Sequence, residues 1–89
     1  MLISPDEINK SLADKGWKYA DKKISKTFKF TQYMDGIKFV NKMAELAETS
    51  NHHPNITIGW CQVDVTISSY DIGGVTTKCV NLATSIDLI

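Results

Sequence analysis

Pro54 separates two stretches of this chain whose apolar residues repeat with different periods. Before it, from Thr31 to Asn51, apolar residues recur at helical spacing; after it, from Ile56 onward, they alternate. Proline lacks an amide hydrogen and pushes the residue before it toward extended backbone, so the helix has to close near Asn51. His52 and His53, the only two histidines, fall on that short exit, with Glu48 four positions ahead of the first. If the last helical turn reaches them, Glu48 and His52 share a face and pair. The carboxylate and the negative end of the helix both favour the imidazolium, so the expected pKa lies above the ordinary histidine value. Such a group suits proton exchange near neutral pH. The same residues equally suit a solvated helix end, because perturbed titrating groups also occur at structural sites. A metal site is not expected. Adjacent histidines diverge, no third ligand stands at metal spacing, and Cys61 and Cys79 form no Cys-x-x-Cys unit.

Upstream, Ser4-Pro5-Asp6-Glu7 reads as a helix start, with a serine cap, a proline at the first helical position and Glu7 completing a capping box. Ile8 and Leu12 give this helix a brief apolar stripe, and Gly16 stops it. Trp17 to Tyr19 and Ile24 to Phe30 read as two strands joined through Asp21-Lys22-Lys23. In the second, Lys26, Phe28 and Phe30 share one face. The long helix begins with Thr31 as its cap. Tyr33, Ile37, Val40, Ala44 and Ala47 form its apolar face, widened by Phe39, Met43 and Leu46. Beyond Pro54, Ile56 and Ile58 lead to a turn near Trp60-Cys61-Gln62, and Val63, Val65 and Ile67 alternate cleanly against Asp64, Thr66 and Ser68. Ser69 to Gly74 is a loop. A last helix starts near Thr76 or Thr77 and turns Val80, Ala83 and Ile86 inward.

The order helix, strand, strand, helix, strand, strand, helix predicts a single α+β domain over residues 1–89, with an antiparallel four-stranded sheet and the helices packed on one face. Open sheet edges favour pairing with a second copy. Ten basic and ten acidic residues cancel, which argues against direct nucleic-acid binding or an anionic membrane as partner. The apolar runs are too short to cross a bilayer. Two cysteines eighteen positions apart give no disulfide framework, and with no recognisable leader the expected compartment is the cytoplasm.

With the element order and the Glu48-x-x-x-His52-His53-Pro54 exit in place, the chain resembles the pterin-4a-carbinolamine dehydratase family over nearly its whole length. Trp60 stands where the family has an aromatic residue, and Asn81-Leu82-Ala83 in the last helix is similar too. The resemblance implies a homodimer or homotetramer and the dehydration of 4a-hydroxytetrahydrobiopterin to quinonoid dihydropterin, with no metal or organic cofactor. Some members also bind a homeodomain transcription factor, which adds a protein partner and a nuclear location as implied alternatives. By the same resemblance His52 and His53 lie nearest the pterin. Glu48, Asn51 and Pro54 flank them, and Ser68, Ser69 and Asp71 form a second substrate-contacting loop. Two positions depart from the family pattern. Tyr70 stands where a third histidine is usual, and Cys79 where an aspartate is usual. A tyrosine with a pKa of about 10 donates a hydrogen bond but is a poor base at neutral pH. Tyr70 is therefore expected to act through its hydroxyl as a proton donor. A thiol replaces a carboxylate's charge only when deprotonated. The chain is thus read as a dehydratase or, alternatively, as a pterin- or protein-binding module of the same fold with weak chemistry.

Overall fold

Ser4 opens the first helix as its sequence requires: its hydroxyl accepts the Glu7 amide at 3.2 Å. The structure, a computed structural model, describes residues 2–89. Helix α1 (Pro5–Leu12) passes through a single 3₁₀ turn to Gly16, whose left-handed backbone (φ 91°) ends the segment. Strands β1 (Lys18–Ala20) and β2 (Lys23–Lys29) follow. Asp21 and Lys22 between them both hold positive φ, 54° and 63°, so a two-residue turn joins the strands without a glycine. Helix α2 (Tyr33–Ser50) comes next, then β3 (Asn55–Gly59), β4 (Gln62–Ile67) and helix α3 (Thr77–Asp87).

The four strands form one antiparallel sheet in the order β1-β2-β4-β3, as the element order predicts. Register puts Ile24 opposite Ile67 and Phe28 opposite Val63. The alternation in β4 drives Val63, Val65 and Ile67 completely out of solvent, where they meet Ile8, Leu12, Met43, Leu82 and Ile86 from the helices. Each such side chain contributes about 1.5–3 kcal/mol by leaving water. The opposite face stays polar, with Thr27 donating to Asp64 at 2.6 Å.

Three local expectations are corrected. The cap of α2 is Gln32, one residue after Thr31, because Gln32 is the last residue with extended backbone. The buried face of α2 runs through Gly36, Phe39, Met43 and Ala47, leaving Tyr33 and Ala44 exposed. The first turn of the helix packs closely at Gly36, where a Cβ would sit in van der Waals contact 3.4 Å from the Phe30 ring and 3.5 Å from Val63. In α3, Cys79 and Leu82 join Ala83 and Ile86 in the core, while Val80 is only partly covered. The loop before the helix folds over its first turn, and this draws Cys79 inside.

Candidate active site

Asn51 directs the site. It caps α2 in the left-handed conformation (φ 51°, ψ 42°), which asparagine tolerates better than most side chains. The chain then doubles back, and the His52 amide donates to the Ala47 carbonyl at 3.1 Å. This reversal sends the two imidazoles to different partners. His53 bonds through Nε2 to Glu48 Oε2 on the exposed helix surface. His52 turns inward, its Nε2 lying 3.2 Å from Cys79 Sγ at the start of α3. The expected Glu48–His52 pair is therefore replaced by Glu48–His53.

The electrostatic expectation for His52 reverses with it. Burial penalises the charged imidazolium, and the Lys78 ammonium and His53 act in the same sense, so the pKa falls below the ordinary value although Asp71 opposes the shift. His52 rests as a neutral ring at neutral pH.

Around it, Asn51, Ser69, Asp71, Ile72, Thr76 and Lys78 border a cleft of about 310 Å³. Its floor is a buried polar cluster. Ser69 and Thr76 hydroxyls are 2.8 Å apart, and Ser69 Oγ is 3.3 Å from Cys79 Sγ. The loop is closed by the Ser69 amide donating to the Gly74 carbonyl at 2.8 Å, with Gly73 at φ 89° supplying the turn. Ser68, also buried, donates to the Lys22 carbonyl at 2.9 Å instead of facing the cleft. Pro54 is partly buried between the histidines and β3.

The structure thus brings Asn51, His52, Ser69, Asp71 and Cys79 together. Glu48 and His53 sit beside them on the helix surface. Tyr70 stands apart: it is 57% exposed, does not border the cleft, and its hydroxyl accepts from Asn55 Nδ2 at 2.7 Å. Thr76, Lys78 and Ile72 were not anticipated. The only sequence signal for them was their place at the junction of a glycine loop with a helix start. Among the described residues no three His, Cys, Asp or Glu side chains are grouped to hold a metal ion, and no helix is long and apolar enough to cross a membrane.

The model of the pterin 4 alpha carbinolamine dehydratase family matches residues 1–89. The chain belongs to that family. A relative in Thermosynechococcus vestitus, provisionally named a pterin-4-alpha-carbinolamine dehydratase, is 38% identical over 82 residues, covering 91% of this chain and 86% of its own. Among solved structures, a Brucella melitensis protein described as a transcriptional coactivator/pterin dehydratase superposes with a TM-score of 0.91 at 27% identity, covering 99% of this chain and 97% of its own. A pterin dehydratase-like RuBisCO assembly factor of the alpha-carboxysome shares the fold at a TM-score of 0.68 and 23% identity, covering 81% and 83% of the two chains. Proteins described as a transcriptional coactivator/pterin dehydratase and as a RuBisCO assembly factor therefore share this architecture.

Proposed function

We propose that the protein is a 4a-hydroxytetrahydrobiopterin dehydratase in which His52 and His53 carry the proton transfers. The observation that supports this best is the pair itself, two imidazoles on one rigid exit with separate partners and one of them bordering the cleft. Loss of water from the carbinolamine needs a proton delivered to the departing 4a-hydroxyl and a proton removed from ring nitrogen. The C–O bond breaks, the nitrogen lone pair forms the new C=N bond, and quinonoid dihydropterin results. Two positioned acid–base groups suffice for this, and the reading requires neither a metal nor an organic cofactor. Ser69, Asn51 and Asp71 offer hydrogen-bonding groups to the pterin's polar edge, and Glu48 orients His53. The reading makes the protein a cytoplasmic homodimer or homotetramer. In support, β3 leaves an open sheet edge with Ile58 and Trp60 exposed beside it. Sedimentation showing monomer alone at micromolar concentration would remove the oligomer from this reading.

A second reading is a pterin- or protein-binding module with weak chemistry. Tyr70 favours it, since its hydroxyl is turned to Asn55 and not to the cleft. Fold does not decide between the two. Stopped-flow mixing with synthetic carbinolamine does. Acceleration over the spontaneous dehydration supports the enzyme, and pterin binding with no acceleration supports the module.

A further inference from the structure

Three short contacts line up behind His52. Thr76 Oγ1 and Ser69 Oγ are 2.8 Å apart, Ser69 Oγ and Cys79 Sγ 3.3 Å, and Cys79 Sγ and His52 Nε2 3.2 Å. Ser69, Thr76 and Cys79 are 5%, 2% and 0% exposed, so bulk water does not stand in for a missing partner. Each hydroxyl and the thiol carries one hydrogen. Run toward the histidine, Thr76 donates to Ser69, Ser69 to the Cys79 sulfur, and the thiol to Nε2. Every hydrogen then has an acceptor on a short contact. Run the other way, the Thr76 hydrogen is left with only its 3.6 Å contact to the Cys79 sulfur. Thr76 Oγ1 is not occupied in capping α3 either. Sulfur is a weak acceptor and that 3.6 Å contact is the longest of the four, so the first direction makes the better set of bonds.

A thiol that donates to Nε2 fixes the neutral imidazole with its own hydrogen on Nδ1. That nitrogen meets no protein partner among the described residues, and the ring borders the cleft. We propose that Cys79 is a positioning residue: backed by Ser69 and Thr76, its thiol holds His52 in the Nδ1–H form and presents that N–H to the cleft as a hydrogen-bond donor. The value of a donor there rests on the dehydratase reading; the tautomer does not. The groups facing His52 agree with a neutral ring. Burial, Lys78 on α3 and the neighbouring His53, itself paired with Glu48, disfavour the imidazolium, and only Asp71 from the loop opposes them. A carboxylate at position 79 would instead accept from Nε2–H, which inverts the tautomer and raises the pKa.

Long-range ¹H–¹⁵N NMR on the labelled full chain, well above the histidine titration range, reads both ring nitrogens directly. The expected wild-type pattern is a protonated Nδ1 and an unprotonated Nε2 at His52. Cys79→Ser should keep it, since a hydroxyl still donates. Cys79→Ala should relax it to a mixture, and Cys79→Asp should invert it while moving the His52 titration midpoint upward. A wild-type His52 protonated on Nε2, or a folded Cys79→Ala variant with an unchanged pattern, overturns the proposal. Should the alanine variant fail to fold, the wild-type spectrum still decides. Turnover is measured separately. The expected pattern without dehydration sinks the dehydratase reading alone, and dehydration with the opposite tautomer sinks the Cys79 relay alone.

Discussion

Helix α3 is fastened at both ends by polar clusters, and the two differ in kind. At its far end Asp87 accepts from Trp17 Nε1 at 2.9 Å and from Lys26 Nζ at 2.8 Å, while the same ammonium lies 4.8 Å from the centre of the Phe28 ring. Full charges meet there, half-buried, with an aromatic wall behind them. At its near end the ties are neutral: two hydroxyls, a thiol and the His52 imidazole. The charged cluster resists change, since removing one member leaves another uncompensated in a partly dry setting. The neutral cluster is weaker per contact, and it holds the one imidazole that faces the cleft. One end of α3 is held by charge and the other by neutral groups, and on the dehydratase reading the second is the end that serves proton transfer.

The widest separation between the two ends should come from the histidines. His52→Ala and His53→Ala should each slow dehydration by roughly 10²- to 10⁴-fold, the span for losing a general acid or base, with the folded state retained; stopped-flow rates beside thermal melts check both halves. Next comes Asp87→Ala, which strands Lys26 and the Trp17 indole. It should cost about 1–3 kcal/mol in denaturant unfolding and leave the rate per folded molecule unchanged. A smaller effect is expected at Tyr70. The sequence pointed to its hydroxyl as a proton donor, but the exposed bond to Asn55 puts Tyr70→Phe within about tenfold of wild type, because such a hydrogen bond is worth only about 0.5–1.5 kcal/mol. A larger loss in the same assay would return Tyr70 to the chemistry. The smallest effect is on pH. With its folded pKa lowered, His52 binds a proton more readily in the unfolded chain. Its contribution to stability is thus present above about pH 6.5 and lost as pH falls through that value toward the folded pKa. Unfolding midpoints should fall more for wild type than for His52→Gln between neutral and mildly acidic buffer.

Much of this was legible in the sequence where the determinants are local. The Ser4 cap, the Val63-Val65-Ile67 alternation and the stop imposed by Asn51 and Pro54 each depend on a few neighbouring residues, and each appears in the structure. The exchange of partners between His52 and His53 was not legible. It follows from the left-handed turn at Asn51, which reverses the chain so that the second histidine, not the first, returns to Glu48. Nor could Asp87 be matched to Trp17 and Lys26, which are 70 and 61 positions away and meet only once the sheet has formed. The same holds for the floor of the cleft. Thr76 and Cys79 reach Ser69 because Gly73 and the Ser69–Gly74 bond close the loop, a geometry no periodic pattern encodes.

The most direct test sets the two ends of α3 against each other in one assay. Single-turnover dehydration of synthetic carbinolamine is followed with wild type, His52→Ala and Asp87→Ala, each normalised to the folded fraction. The expected result is a wild type faster than the spontaneous reaction, a His52→Ala variant that loses at least about 10²-fold, and an Asp87→Ala variant at the wild-type rate. A folded His52→Ala variant as fast as wild type, or a wild type no faster than buffer, would contradict it.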